Sequence, residues 1–254
     1  MRFSKTKEIR ARLASGGASV GSWMQIPHSS IAEIMGASGY DWVAVDLEHG
    51  SISVDQLPDL FRAIDAGGTL PLARVAEGSA KDCKQALEAG AGGLIIPMIE
   101  TGAQLKAAVE ASCWPPAGRR GVGFSRANLF GKNFERYKEE AQAPLIVAQI
   151  ENSTAVQNLE SILKVEGLDA ILIGPYDLSA SMGITAQFDH PNFLEAMARI
   201  AGVCRKQNVP FGEHIVQPDP EKLASRLKAG SRFIAYSIDA VFLNQAAKFP
   251  QGSK

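Results

Sequence analysis

Two acidic residues follow apolar runs in the middle of the sequence, and their spacing suits metal chemistry. The first run is Leu145–Ile150, directly followed by Glu151, and the second is Ala170–Ile173, followed four residues later by Asp177. An amphipathic segment over 154–165 separates them, which gives the length of a strand–helix–strand unit, roughly 30 residues. In such a unit the strands are parallel and end at one edge of a sheet, which brings both carboxylates to that edge. Two carboxylates there can hold one hard divalent cation, whereas a helix cap and a surface salt bridge are the structural alternatives.

More ionisable and aromatic side chains fall where the other predicted strands end. Read together, the strand-end positions are Trp23, Asp46, Glu48, His49, Arg74, Glu151, Asp177 and His214. Ionisable groups beside buried strands usually have a hydrogen-bonding or charged partner, or they belong to a functional site. Arg74 ends an apolar run over 70–75, where it is either a fixed cation for a substrate oxygen or a surface arginine on a rim.

Asp46 and His49 are three residues apart at the end of the predicted strand 42–47. A carboxylate that is hydrogen-bonded to an imidazole fixes its tautomer and raises its basicity, which suits general acid/base catalysis near neutral pH. A loop histidine with a structural hydrogen bond fits the same spacing equally well.

The positions of the lysines restrict the possible reaction mechanisms. They fall on predicted helices, in loops or at the termini, and none lies inside an apolar run. A Schiff-base aldolase needs a desolvated lysine, so that mechanism is disfavoured and a metal-stabilised enolate is favoured.

Eight apolar runs alternate with helical segments, and they must position these residues. The predicted strands cover 18–26, 42–47, 70–75, 93–99, 145–150, 170–173, 210–216 and 232–238. A long connection rich in glycine and arginine covers 114–144, and the last predicted helix covers 240–249. Eight such units in one chain without a linker predict a single α/β domain, a (β/α)8 TIM barrel over 1–254. A doubly wound open sheet is the alternative, but its GxGxxG turn is missing after the first strand.

The composition is that of a globular enzyme. The chain has 254 residues, 46% apolar and 21% charged, with a net charge of -1, which predicts neither nucleic-acid nor membrane partners. No window reaches the roughly 18 apolar residues of a membrane helix, and the charged N-terminal stretch does not resemble a signal peptide. Cys83, Cys113 and Cys204 are widely spaced, which predicts free thiols in a reducing cytoplasm.

Short motifs along the chain resemble, in their order, those of a known enzyme family. They are Gly39-Tyr40-Asp41-Trp42, Asp46-Leu47-Glu48-His49, Ala73-Arg74-Val75, Glu77-Gly78-Ser79, Pro97-Met98, Trp114-Pro115-Pro116, Arg120-Gly121-Val122-Gly123, Gln149-Ile150-Glu151 and Gly174-Pro175-Tyr176-Asp177-Leu178-Ser179. From Gly21 to about Leu243 the chain is similar to the HpcH/HpaI group of class II, metal-dependent pyruvate aldolases. Its members include 4-hydroxy-2-oxoheptanedioate and 2-dehydro-3-deoxyglucarate aldolases. The resemblance implies a homo-oligomer, a hexamer built as a trimer of dimers, in which the last helix packs onto a neighbouring subunit.

The resemblance also implies a reaction and the residues for it. A divalent cation, Mg²⁺, Mn²⁺ or Co²⁺, is expected on Glu151 and Asp177, where it would bind a 2-oxo acid. Arg74 is expected to stabilise the keto oxygen of the substrate as it becomes an enolate. His49, paired with Asp46, would move the proton of the 4-hydroxyl. A 4-hydroxy-2-oxo acid would then be cleaved reversibly into pyruvate and an aldehyde, which makes the enzyme a carbon–carbon lyase with small-molecule partners.

The substrate side of the site follows from the same likeness. The turn after the sixth strand would bind the substrate carboxylate through Gly174, Pro175, Tyr176 and Asp177. Trp23 and His214 would line the aldehyde end, and Glu88 stands where the family has an aspartate that acts from a neighbouring subunit. His28, His214 and Glu213 would form a polar wall, because a plain aliphatic pocket would leave them without hydrogen-bond partners. We therefore expect a hydroxylated aldehyde rather than an unsubstituted alkanal.

Two other functions fit parts of the sequence. A citrate-lyase-like acyl-CoA lyase would need a basic groove for phosphates, for which Arg119, Arg120 and Arg126 are the local candidates. A catalytically silent barrel that serves as an oligomeric scaffold would not need Asp46, His49, Arg74, Glu151 and Asp177 together.

Overall fold

The computed structural model describes residues 2–248, and in that range eight parallel strands close into a barrel in sequential order. The strands are β1 (Ser19–Met24), β2 (Trp42–Asp46), β3 (Leu70–Arg74), β4 (Gly93–Ile96), β5 (Leu145–Ile150), β6 (Ala170–Ile173), β7 (Phe211–Ile215) and β8 (Phe233–Ile238). Strand β1 pairs in parallel with both β2 and β8, which closes the sheet. The predicted TIM barrel is therefore confirmed, and the open doubly wound sheet is excluded.

Twelve α-helices occur among the described residues and surround the barrel or cover its ends. They are α1 (Arg2–Ala14), α2 (Ser29–Ala37), α3 (Leu57–Ala66), α4 (Ala80–Ala89), α5 (Gly102–Ser112), α6 (Phe134–Gln142), α7 (Ser153–Gln157), α8 (Leu159–Ile162), α9 (Pro175–Ser181), α10 (Pro191–Gln207), α11 (Pro220–Lys228) and α12 (Asp239–Ala246). The single helix predicted over 154–165 is divided into α7 and α8. The predicted last helix extends to residue 249, which lies outside the described residues.

Three helices, α1, α6 and α9, were not predicted from the sequence, which indicated only a turn where α9 begins. Helix α6 lies within the connection that was read as irregular, and α1 lies in the charged N-terminal stretch. Helix α1 is held by tertiary contacts: Ile9 and Leu13 are buried in the barrel core, and Arg10 donates to both oxygens of Asp169 at 2.6 and 2.9 Å. Its apolar face is too narrow to stand out in sequence, so the contacts rather than the local pattern define this helix.

The strands are apolar on both faces because each face has its own core. Trp42 and Leu72 belong to the interior of the barrel, whereas Val43 and Val45 pack against the outer helices. The interior is tightly filled: Trp42 stacks on Phe233 with ring centroids 4.7 Å apart. The alternation along each strand also decides which of its terminal side chains enter the barrel mouth.

None of the helices within residues 2–248 is both long and apolar enough to cross a bilayer. The three cysteines are free and buried.

Candidate active site

A cavity of about 250 Å³ opens at the carboxyl ends of the strands, where barrel active sites form. Its walls include Trp23, Gln25, His49, Arg74, Gln149, Gly174, Pro175, Tyr176, Asp177 and His214. Most of the predicted site residues are therefore brought to one place. Gln25 and Gln149 were not predicted as site residues, because the prediction rested on ionisable side chains at strand ends and neither glutamine ionises.

Arg74 is fixed at the bottom of this cavity by a buried carboxylate. Its Nε and Nη2 donate to the two oxygens of Asp46 at 2.9 and 2.6 Å, and the guanidinium lies 4.4 Å from the centre of the Trp23 ring. Burial alone would raise the pKa of Asp46, but the hydrogen bonds and charge of Arg74 hold that pKa below its ordinary value. Gln25 Nε2 adds a hydrogen bond to Asp46 at 2.8 Å. A bidentate pair of this kind sets the orientation of the guanidinium as well as its position.

The predicted hydrogen bond between Asp46 and the His49 imidazole is wrong. Asp46 accepts the backbone N–H of His49 at 3.3 Å, and the side chains that donate to Asp46 are those of Arg74 and Gln25. The imidazole Nε2 instead lies 4.0 Å from Glu48, and the His49 side chain is 54% exposed at the rim. Asp46 points into the barrel and His49 belongs to the loop that follows, so the two side chains diverge. A proton-transfer role for His49 stays a prediction.

Glu151 is buried at the end of β5 and is held by two donors. The backbone N–H of Met98 donates to its Oε1 at 2.7 Å, and Gln149 Nε2 makes a short hydrogen bond to its Oε2. Burial raises the pKa of Glu151, these hydrogen bonds oppose the rise, and the charge of Asp177 adds to it. Gly174 is needed beside it, because a Cβ there would lie 2.7 Å from Glu151 Oε2.

Glu48 is a third carboxylate at this site, and the sequence analysis gave it no role. Burial raises the pKa of Glu48 to about 7; Arg74 opposes the rise, and the charges of Glu151, Asp46 and Asp177 add to it. Arg74 Nη1 lies 3.2 Å from Glu48 Oε2, which is close enough for attraction, but that buried oxygen makes no hydrogen bond. The sequence feature that could have indicated a role for Glu48 is its place in the Asp46-Leu47-Glu48-His49 motif.

The donor set fits a divalent cation. The charges of Glu151 and Asp177 add to the rise in the pKa of Glu48, and the charge of Asp177 adds to that of Glu151, as expected where carboxylates crowd together. Glu48 Oε2 and Gln149 Oε1 are buried oxygens that have no hydrogen-bond partner. Within residues 2–248 no group of three or more His, Cys, Asp or Glu side chains is arranged around one metal position. Glu151 and Asp177 would thus leave several coordination positions for water and substrate oxygens, as Mg²⁺ sites commonly do.

His214 also lines this cavity, beside Trp23. The two rings meet edge to face with centroids 5.8 Å apart. Burial and then the charge of Arg74 lower the pKa of His214 to about 3, so the imidazole is neutral. It hydrogen-bonds the backbone of Ser237, whereas its Nε2 is buried without a partner. His214 also borders a second cavity of about 450 Å³, and Pro175 and Tyr176 are shared by both cavities.

Three other predicted contributors lie away from the cavity. His28 accepts the N–H of Ser30 at 3.1 Å and caps α2, so it does not join His214 in a polar wall. Glu213 pairs with Arg226 at 2.7 Å; it lines the second cavity together with His214 but does not line the first. Glu88 lies 4.0 Å from Lys84 on α4 and does not line the cavity of its own chain. Its action in a neighbouring subunit stays a prediction.

The chain is similar to known enzymes over nearly its whole length. The model of the HpcH/HpaI aldolase/citrate lyase family matches residues 19–246. The hydroxypyruvate/pyruvate aldolase of Roseobacter denitrificans is 37% identical over 252 residues, which are 96% of this chain and 97% of that protein. The 4-hydroxy-2-oxovalerate aldolase of Novosphingobium aromaticivorans is 40% identical over 240 residues, which are 91% and 88% of the two chains.

A solved structure agrees with these relatives. A HpcH/HpaI aldolase/citrate lyase family protein from Burkholderia cenocepacia J2315 superimposes with a TM-score of 0.87 at 32% identity, covering 94% of this chain and 95% of that one. The resemblance drawn from the motifs is confirmed, as is the prediction of an aldolase. The chain belongs to the HpcH/HpaI aldolase/citrate lyase family and is a carbon–carbon lyase of the aldolase type.

Proposed function

We propose that this aldolase cleaves a 4-hydroxy-2-oxo acid reversibly into pyruvate and an aldehyde with the help of a divalent cation. The observation that carries the proposal is the charge arrangement of the cavity. A buried, oriented guanidinium, Arg74, lies next to Glu48 and within electrostatic range of Glu151. A 2-oxo acid offers oxygens for both parts of this arrangement, a cation on the carboxylates and the guanidinium.

Glu151 and Asp177 would hold the cation, which we propose to be Mg²⁺, Mn²⁺ or Co²⁺. When bound, such an ion supplies Lewis-acid stabilisation of negative charge on the oxygens of the 2-oxo acid. The crowding of Glu48 with these two carboxylates and the unpartnered oxygen of Gln149 support the proposal.

Arg74 would stabilise the keto oxygen as the carbon–carbon bond breaks and negative charge develops on it. Its donors do not need to reorganise during the reaction, because Asp46 and Trp23 already hold the guanidinium in place. A preorganised donor of this kind typically contributes a factor of about 10²–10³ to the rate.

A proton must leave the 4-hydroxyl in cleavage and return to it in condensation. His49 lines the cavity at its exposed rim and is our proposed proton carrier. The neighbouring Glu48, with its pKa raised to about 7, is the alternative group for the same step.

The aldehyde would lie against Trp23 and His214. The free nitrogen of the neutral His214 ring is an acceptor, because the other nitrogen hydrogen-bonds the backbone of Ser237. An acceptor in an otherwise apolar wall favours a substrate that carries a hydroxyl donor there. We therefore propose a hydroxylated aldehyde such as glycolaldehyde or glyceraldehyde.

The acyl-CoA lyase alternative has less support. Arg120 is buried against Tyr137, Arg119 pairs with Glu110 at 3.1 Å, and Arg126 donates to the carbonyl of Ala89 at 2.9 Å. None of these three arginines lines the cavity described above, so they do not form the basic groove that CoA phosphates would need.

The assembly and location remain proposals as well. Exposed apolar side chains, among them Phe124, Phe130 and Leu243, support a homo-oligomer, for which we propose the hexamer that the family resemblance implies. The buried free cysteines support a cytoplasmic location.

The test is pyruvate release from a panel of 4-hydroxy-2-oxo acids, coupled to lactate dehydrogenase. The protein is assayed after exhaustive chelator dialysis and again after Mg²⁺, Mn²⁺ or Co²⁺ is added back. We expect activity that is lost with chelator and restored by a cation. Full activity after dialysis would contradict the cation, and failure of every acid with every cation would contradict the substrate class.

A further inference from the structure

We infer that Asp239, the first residue of α12, is a positioning residue that acts through Gln25 on the Asp46–Arg74 pair. The effect on the reaction rests on the proposed function, because it assumes the step that Arg74 assists. The effect on the geometry of the Asp46–Arg74 pair does not rest on it. Asp239 itself does not line the cavity, whereas Gln25 and Ile238 do. It therefore acts on the site through another residue.

The Asp239 carboxylate fixes the backbone that follows β1. Its Oδ1 accepts the N–H of Gln25 at 2.9 Å, and its Oδ2 accepts the N–H of Ile26 at 2.9 Å. Oδ1 also accepts the N–H of Ala240 at 2.7 Å. Asp239 is only 5% exposed. A buried carboxylate that accepts several backbone N–H groups is held firmly, and so is the loop that donates to it.

The end of β8 has an irregular backbone that presents Asp239 to this loop. Ser237 is fully buried and has a φ of 57°, a left-handed conformation that serine rarely adopts. The pairing of β1 with β8 shifts register at the same level, between Gly21 and Trp23. A residue keeps such a conformation only when its surroundings fix it, which marks the β8–α12 junction as specified by tertiary contacts.

The side chain of Gln25 carries the link to the site. Its Nε2 donates to Asp46 Oδ2 at 2.8 Å, and the same oxygen accepts Arg74 Nη2 at 2.6 Å. The backbone of Gln25 is fixed by Asp239 and its amide is fixed by Asp46, so the loop and the guanidinium are connected by consecutive hydrogen bonds. A shift of the loop would withdraw one of the donors that orient Asp46, and with it the orientation of Arg74.

The experiment compares Gln25→Met, Asp239→Asn and the double variant. Gln25→Met keeps the side-chain volume but removes the donor, and Asp239→Asn replaces one acceptor by a donor. Gln245→Ala is the control, because Gln245 lies on the same helix and its exposed amide donates to Gln217, at 2.7 Å. The first readout is the exchange of the C3 protons of pyruvate for deuterium, followed by NMR in the presence of the activating cation. This exchange needs Arg74 but no aldehyde.

We expect each single variant to lower kcat for exchange by about 10- to 100-fold, because small misplacements of catalytic groups have effects of this size. KM for pyruvate should change much less, and the Gln245→Ala control should match wild type. The double variant should be no slower than the slower single variant, since both changes interrupt the same connection. Wild-type exchange in Gln25→Met, or losses that multiply in the double variant, would overturn the inference.

Crystal structures of the same variants give a readout that does not depend on the reaction. We expect the Arg74–Asp46 pair to lose its bidentate geometry in Gln25→Met, and in Asp239→Asn if that variant folds. An unchanged pair in Gln25→Met would overturn the inference even if the chain had another substrate. A wild-type protein without exchange or pyruvate release would instead count against the proposed function, and the crystal structures would then decide the inference.

Discussion

The two sides of the active-site cavity differ in how completely their polar groups are satisfied. On the β2–β3 side, Asp46 and Arg74 neutralise each other and use both carboxylate oxygens. On the β5–β6 side, burial and the charge of Asp177 raise the pKa of Glu151, and the buried Oε1 of Gln149 has no hydrogen-bond partner. The charged groups of the first side satisfy each other, whereas the second side has an unsatisfied oxygen atom and negative charge, which are typical of a ligand-binding site.

The largest expected effect concerns one residue from each side. Arg74→Met leaves the buried Asp46 charge without its partner, so the free energy of unfolding should fall by about 3–5 kcal/mol. Glu151→Gln removes one of several crowded carboxylates, so its stability should be unchanged or higher. Both variants should have kcat close to that of the chelator-treated enzyme. The measurements are urea unfolding and the coupled pyruvate assay.

A surface variant controls for the loss of a carboxylate as such. Glu110→Gln removes an acid whose partner is the exposed Arg119, so activity and stability should stay near wild type. Equal destabilisation by Arg74→Met and Glu151→Gln would show that the two sides are not different in the way described.

The second prediction concerns His49, which lies at the rim between the two sides. If it carries the proton of the 4-hydroxyl, His49→Ala should slow aldol cleavage by about 10²–10⁴-fold. The exchange of pyruvate C3 protons should suffer much less, because Arg74 and the cation still support the enolate. Equal and small losses in both reactions would give the role to another group, with Glu48 as the first alternative.

The third prediction uses pH to compare the two carboxylates beside Arg74, Glu48 and Asp46, without substrate or added cation. The pKa of Glu48 rises from 4.5 to about 7 on folding, so its contribution to stability is present below pH 4.5 and is lost as pH rises through 7. Across this window the loss should be up to about 3 kcal/mol. The pKa of Asp46 is lowered, so its contribution is present above its ordinary pKa of 3.8 and is lost as pH falls below that value.

Thermal unfolding from pH 4 to 8 measures the Glu48 contribution, and Glu48→Gln is the matched variant. Between pH 4.5 and 7.5, the stability of the variant should decline much less than that of the wild type. A wild-type protein whose stability does not decline in this window would contradict the raised pKa.

The smallest expected effect concerns the wall of the cavity at His214. His214→Leu removes the free acceptor nitrogen, so the preference for glyceraldehyde over propanal in condensation with pyruvate should fall by about tenfold, which corresponds to the loss of one hydrogen bond. The measurement is kcat/KM for both aldehydes, and His190→Leu is a control because His190 caps α10 and does not line the active-site cavity. An unchanged ratio, or a wild type that prefers propanal, would remove His214 from the aldehyde contacts.

The sequence alone determined the barrel and most of the positions that line its mouth. Eight apolar runs separated by helices leave one economical closed arrangement, and residues that end such runs must gather at one edge. Arg74, Glu151 and Asp177 were found for that reason.

Tertiary structure decided the partners of these side chains. Sequence spacing favoured His49 as the partner of Asp46, but the closed barrel places the Arg74 guanidinium and the Gln25 amide nearer. These contacts join residues 21 and 28 positions away, and the link from Gln25 to Asp239 spans 214 positions, so no local pattern encodes them. Hydrogen-bond partners depend on which strands are neighbours and in which register: Asp46 and Arg74 are register partners on β2 and β3, and Asp239 comes near Gln25 where β1 pairs with β8.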